Sequence, residues 1–179
     1  MTRMQSRDVT VRGVRIRAVE AGPRDRPALL LLHGFLTSHL EWTDVIAVLA
    51  EQFHVIAADL PGFGESEKPG PARYTYGIEA FAEAMADLVA AFGVGRTHVI
   101  GHAMGGAVAL TLAAQHAELV QRLVVVTPLV YPFESSLKVR LALYPLIGPV
   151  IFKQLYGRGL FRAFFRDEAF GAGGAQLNS

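Results

Sequence analysis

Residues 99–110 read V-I-G-H-A-M-G-G-A-V-A-L. Residues 97–101 predict a short apolar strand, and 104–114 a helix built mainly of glycine, alanine, valine and leucine. Between them lies the frame Gly101-His102-Ala103-Met104-Gly105. Glycines at 101, 105 and 106 allow a tight turn and a close approach of helix to strand. Such a turn is strained and holds its central side chain up at the end of the strand. Here that side chain is the methyl group of Ala103, which cannot attack a carbonyl.

By itself, G-x-x-x-G in this setting is satisfied by plain helix–sheet packing. Two further segments sharpen the reading. The aliphatic run at 28–32 ends in His33-Gly34-Phe35, and the run at 54–58 ends in D-L-P-G-F-G-E-S over 59–66. H-G-F, D-L-P-G-F-G-E-S and G-H-A-M-G-G, in this order and spacing, resemble the α/β-hydrolase superfamily in its esterase-like and epoxide-hydrolase-like branch. The resemblance extends over residues 8–166. It implies an α/β fold: a mostly parallel sheet with helices on both faces, truncated after the sixth strand and followed by the start of a helical cap. The chain then divides into the N-terminal part of a hydrolase core at 1–128, the start of the cap at 129–170, and a flexible tail at 171–179.

Composition is consistent with a compact soluble chain. Of 179 residues, 51% are hydrophobic and 18% charged, with a formal net charge of +1. That length suits one domain, at roughly 100–200 residues each. Near-neutral charge without a Lys/Arg run gives no footprint for nucleic acid. The chain has no cysteine, which excludes disulfide and thiolate chemistry. The first ten residues carry no apolar signal region. The uncharged stretch 141–152 includes Arg-free apolar residues but also Pro145, Gly148 and Pro149, and falls short of the ~20 residues a membrane span requires. A cytoplasmic protein is the expectation.

Along the chain, 9–11 and 14–19 predict two antiparallel strands around Arg12-Gly13, and 41–53 predicts a helix with Trp42, Val45, Ile46, Leu49 and Ala50 on one face. Ile78, Phe81, Ala82, Met85, Leu88, Val89 and Phe92 recur at helical spacing and form one apolar stripe, ended by Gly93 and Gly95. A last strand is predicted at 120–127, with 123–126 buried on both faces and paired on both edges. Buried strands each followed by a helix indicate a parallel sheet covered on both sides. Ligands of such sheets sit beyond the carboxyl ends of the strands. His33, Asp59 and Ala103 all fall there, so the three motifs converge on one crevice. The basic, apolar stretch 137–165 reads as cap rather than as a membrane-surface helix.

In the superfamily a serine attacks, a histidine activates it, an acid orients the histidine, and two backbone N–H groups hold the oxyanion. By resemblance, Ala103 stands at the nucleophile position, the N–H groups of Phe35 and Met104 would form the oxyanion hole, and His33, Gly34 and His102 belong to the pocket. The rest of the machinery has no counterpart. The triad histidine should follow the turn at a distance, yet no histidine follows His116. The later acids are Glu134, Asp167 and Glu168, of which Glu134 stands nearest the sixth strand.

Simpler roles compete for each of these residues. His33 reads as a structural residue shaping the loop before Phe35, and His102 as pointing off the far side of the turn. Asp59 would organise the 62–64 loop. Ser66 lacks the frame of an attacking serine, since Lys68 stands where glycine is required, and Trp42 reads as packing. No spacing of His, Asp or Glu matches a metal site, and Gly93-x-Gly95 lacks the dinucleotide fingerprint, so neither metal nor cofactor is expected. Two classes follow. One is a serine hydrolase of esters or related acyl bonds in small apolar substrates, inactive with alanine at its nucleophile position. The other is a non-catalytic pseudoenzyme or split half that binds a ligand or partner. Expected partners are a small apolar acyl compound and, because the sheet stops at its sixth strand, a second copy or a C-terminal fragment. Nucleic acid and membrane are not.

Overall fold

The computed structural model describes residues 4–129. All but Leu129 of the expected cap at 129–170, the whole tail at 171–179, and Glu134, Asp167 and Glu168 lie outside them. Strands β1 (Gln5–Val11) and β2 (Val14–Ala21) form an antiparallel hairpin in register Val11↔Val14. Its two-residue turn places both Arg12 and Gly13 at positive φ, 50° and 71°. That left-handed pair matches the twist of the flanking strands. Strands β3 (Ala28–Leu32), β4 (His54–Ala58), β5 (Thr97–His102) and β6 (Val120–Val126) complete one six-stranded sheet of order β1-β2-β4-β3-β5-β6. The pairs β3–β4, β3–β5 and β5–β6 are parallel, and β2 meets β4 antiparallel.

The aliphatic strands are apolar on both faces because both faces are covered. Along β3, Leu30 and Leu32 pack with Phe81, Met85, Leu88 and Leu112 from helices α2 (Ile78–Phe92) and α3 (Met104–Gln115). Leu29 and Leu31, one residue out of phase, pack with Ile46 and Ala50 at helix α1 (Thr43–Leu49). Successive side chains of a strand point to opposite faces, so one continuous run of leucines feeds two cores. The stripe on α2 behaves as its period requires: Phe81, Ala82, Met85, Leu88 and Val89 are buried, and Gly93 ends the helix at φ 69°.

Two expectations are corrected. The helix over 41–53 is instead a 3₁₀ turn, His39–Trp42, followed by the seven-residue α1. The chain is tied down at its entry, where the His39 N–H is held by Asp59 Oδ1 at 2.6 Å and Glu41 reaches back to the Gly34 N–H at 3.0 Å. Tethered on both sides, the first turn tightens. The second correction concerns β6, which is not buried on both faces. Val124 and Val126 are 52% and 44% exposed, while Leu123 packs toward α2 and α3. Among the described residues β6 pairs with β5 alone, and no helix covers its α1-side face.

A close backbone approach joins α3 to the sheet. A Cβ added to Gly105 would stand 2.5 Å from the His33 carbonyl oxygen and closer still to that of Leu32. Backbone at a strand end cannot yield, so Gly105→Ala is expected to cost more than about 3 kcal/mol, beyond the usual range for overpacking. Gly93→Ala meets nothing within 4 Å. It bears only the left-handed penalty of about 1–2 kcal/mol. Urea denaturation of the two variants checks the difference, and equal midpoints would contradict the tight approach.

Candidate functional site

The end of β5 and the start of α3 meet at Ala103, whose backbone lies at φ 49°, ψ −112°. A side chain at positive φ is strained, at a cost of about 1–3 kcal/mol, and such a residue persists only where its surroundings over-determine it. They do so here. The Ala103 N–H donates to the Val126 carbonyl at 3.0 Å, and its carbonyl accepts from Gly106, Ala107 and Leu129 at 3.1, 3.3 and 3.0 Å. Gly101 admits the turn because a Cβ there would strike the Gly105 carbonyl. Gly106 is hemmed in by Pro128, whose Cβ would lie 2.9 Å from an added methyl. Met104, the first residue of α3, has an N–H with no carbonyl in its own helix to receive it.

Across from this turn runs the loop after β3. A Cβ on Gly34 would sit 3.4 Å from Ala103 Cβ and 3.1 Å from His102 Nδ1. Gly34 is therefore the point of contact between the H-G-F loop and the turn, and only hydrogen fits comfortably. The next residue, Phe35, is exposed and packs edge-on against Phe63 of the D-L-P-G-F-G-E-S loop at 5.8 Å between ring centres. Leu36 follows at φ 61°, a second strained non-glycine residue. Thr37 Oγ1 lies 3.0 Å from the Gly34 carbonyl, over which the loop closes.

His33 stands directly after β3, at the base of the H-G-F loop. It is fully buried, its Nε2 accepts the Leu60 N–H at 3.0 Å, and its Nδ1 donates to the Gly34 carbonyl at 2.7 Å. One nitrogen accepting and the other donating defines a neutral ring. Burial pushes its pKa below the ordinary histidine value, only partly opposed by the Gly34 carbonyl and the nearby carboxylates. Asp59 is also fully buried and fully engaged. It accepts the His39 N–H at 2.6 Å and the Glu65 N–H at 2.7 Å, and lies 2.9 Å from His39 Nδ1. Gly64, at φ 49°, has no room for a Cβ beside that carboxylate. Ser66 is a brace, not an attacking group: its Oγ donates to the Asp59 carbonyl at 2.7 Å and accepts the Arg17 N–H at 2.8 Å.

Glu41 is the residue that the sequence reading missed. Its Oε2 accepts the Gly34 N–H at 3.0 Å and the Thr37 hydroxyl at 2.6 Å, and its Oε1 lies 2.7 Å from His102 Nδ1. The last contact is an ion-pair distance out of line for a hydrogen bond. His102 thus turns toward the H-G-F loop, and the expectation that it points off the far side of the turn is corrected. Ser38-x-x-Glu41 is a capping-box spacing, a signal that Glu41 turns back toward the preceding loop. The structure carries it past the N-cap to Gly34.

Among the described residues, no group of three or more His, Asp or Glu could hold a metal ion. No helix there is long and apolar enough to cross a membrane. A concavity of about 350 Å³ involves none of these site residues. Leu29, Leu49, Phe53, Ile100 and Val124 line it with Arg122, which places it on the sheet face beside α1.

Comparison with known proteins agrees with this architecture. Residues 27–149 match the alpha/beta hydrolase fold family, and the chain belongs to it. It is 40% identical over 122 residues to a soluble epoxide hydrolase from Corynebacterium sp. strain C12, covering 68% of this chain and 41% of that protein. A 2-hydroxy-6-oxo-6-phenylhexa-2,4-dienoate hydrolase from Rhodococcus sp. strain RHA1 superposes with a TM-score of 0.68 at 30% identity, over 75% of this chain and 50% of that one. A carboxylesterase, CesB from Bacillus subtilis, gives 0.65 at 30% identity over 70% and 44%. The chain thus spans about two fifths to one half of the length of these relatives.

The buried neutral His33 makes stability depend on pH. The unfolded ring titrates near 6.5 and the folded ring lower, so between these values only the unfolded chain takes up the proton. Stability from His33 is complete above about pH 7 and is lost as pH falls below about 6.5, at up to about 1.4 kcal/mol per pH unit. Urea midpoints at pH 7.5 and 5.5 should show the fall. His33→Gln keeps an acceptor for the Leu60 N–H and should flatten the slope. Some slope remains, because burial and Arg122 lower His98 in the same direction. An unchanged slope in His33→Gln would reject the assignment.

Proposed function

We propose that the crevice between the H-G-F loop and the Ala103 turn is the oxyanion-binding part of a hydrolase site for esters or related acyl bonds in small apolar substrates. The supporting observation is the strained Ala103 held against Gly34, which brings together the residues that each precede one of the two donors, Phe35 and Met104. Both donors are backbone groups and do not depend on the side chain at 103. The N-terminus of the 12-residue α3 adds a favourable dipole for negative charge. Preorganised donors of this kind often make the largest single contribution to acyl transfer. The relatives' names, among them a carboxylesterase and an epoxide hydrolase, are consistent with hydrolysis as the reaction class.

In a serine hydrolase of this family the attacking oxygen would stand on residue 103. With a methyl there, covalent catalysis has no starting point, and loss of a nucleophile costs about 10⁶ in rate. His33 is not a substitute base, since both ring nitrogens are engaged and the ring is buried. A second reading, a non-catalytic module that binds an acyl ligand or a partner chain, is favoured by Ala103 itself. The exposed Val124 and Val126 on β6 support the partner version, since an apolar sheet face left open among the described residues is a surface another chain can cover.

The protein as it stands should take no covalent label from a fluorophosphonate, and stoichiometric labelling would overturn the reading. Ala103→Ser alone should also stay silent, because a serine hydroxyl without a base remains unreactive at its free pKa. Ala103→Ser supplied with the C-terminal half of a family member should release p-nitrophenolate from an activated ester. Silence of the folded, reconstituted protein toward short and long acyl esters would transfer the case to the binding module.

A further inference from the structure

We propose that Glu41 is a positioning residue that sets the spacing of the two oxyanion donors. The inference rests on the oxyanion reading above and goes beyond it by naming what holds the site open at the right width. The donors come from different parts of the chain: Phe35 from the loop after β3, Met104 from the start of α3. Direct contact between the two loops is limited at Gly34, which has no side chain to lock onto the turn. Glu41 supplies the lock from behind. One carboxylate oxygen holds the Gly34 N–H and the Thr37 hydroxyl, and the other faces His102, the residue immediately before Ala103.

The arrangement has a physical logic. The Phe35 N–H shares its peptide plane with the Gly34 carbonyl, which His33 Nδ1 holds. Glu41 fixes the preceding plane through the Gly34 N–H, so Gly34 is pinned on both sides and the Phe35 donor cannot swing about it. The loop needs an anchor because Leu36, at φ 61°, would relax if released. Glu41 is itself held in the 3₁₀ turn, whose first residue, His39, is fastened to the buried Asp59. The brace therefore runs from Asp59, just past β4, through the 3₁₀ turn to the H-G-F loop. Its last link, to His102 at the end of β5, is a close charged approach and not a hydrogen bond. Hydrogen bonds to a carboxylate are shorter and stronger than neutral ones, which suits a brace across a strained loop. Glu41 touches no reacting atom in this scheme and acts through Gly34 and His102.

The absence of cysteine from the sequence makes a clean test available. In Ala103→Cys the thiolate is a nucleophile that needs no partner base. With p-nitrophenyl acetate, its sulfur bonds to the carbonyl carbon through a tetrahedral oxyanion, and p-nitrophenolate leaves a thioester behind. With iodoacetamide, the sulfur bonds to the methylene carbon as iodide leaves, and no oxyanion forms. Both rates scale with the thiolate fraction and access, so their ratio isolates the oxyanion donors. In Ala103→Cys the acylation-to-alkylation ratio should exceed that of a free thiol by about 10²-fold. Glu41→Ala in that background should lower the ratio by about 10-fold or more, as a misplacement of the donors would. Glu41→Gln, which keeps one acceptor and loses the charge facing His102, should fall between, and it carries the test if the alanine variant does not fold. A high ratio untouched by either Glu41 variant overturns the role of Glu41 while leaving the oxyanion reading intact. A ratio no higher than that of a free thiol in Ala103→Cys itself overturns both.

Discussion

The start of α3 lies so close to the ends of β3 and β5 that backbone meets backbone, and the crevice takes its shape from that approach. Gly101 and Gly105 touch through a carbonyl, and Gly105 abuts the carbonyls of Leu32 and His33. No side chain can occupy these positions without displacing a strand. The connection from β5 to α3 is thereby compressed into a few residues, which forces Ala103 into the left-handed region. Its backbone is then clamped from β6 and from the segment beyond it. Strain is localised at the one residue whose side chain is held up to the crevice.

Around that turn, ionisable groups serve as braces. His33 ties β3 to the entry of the 59–66 loop as a neutral ring, Asp59 gathers N–H groups from the 3₁₀ turn and from Glu65, and Glu41 faces both the H-G-F loop and His102. Buried polar atoms without partners are costly, and His33 and Asp59 have theirs, whereas His102 Nδ1 faces Glu41 without a hydrogen bond. Its contribution to the site is rigidity. Electrostatic stabilisation of a developing charge requires donors that are already in place.

The remainder of the sheet is less settled in its environment. The α1-side face at β5 and β6 presents Ile100, Val124 and Arg122 around an open concavity among the described residues. Leucines on β3 are covered on both faces, whereas the valines of β6 are covered on one. The difference follows from strand order, which, among the described residues, places β3 in the interior and β6 at the end of the sheet.

Local rules in the sequence determined the elements and their approximate ends. The apolar stripe of α2, the Arg12-Gly13 turn and the aliphatic runs of β3 and β4 obey periods and dihedral limits that act within a few residues. The three glycine-rich motifs were legible for the same reason, since a missing Cβ is a constraint written into single positions. The exposure of β6 was not legible, because V-V-V reads alike in a central strand and at an edge. Nor was the brace at Glu41, whose spacing from Ser38 signalled a local cap while its partners at Gly34 and His102 are set by how three loops converge. Sequence determined the backbone geometry that each segment tolerates. Tertiary structure alone decided which side chains meet, since those contacts join residues that only the folded sheet brings within hydrogen-bonding distance.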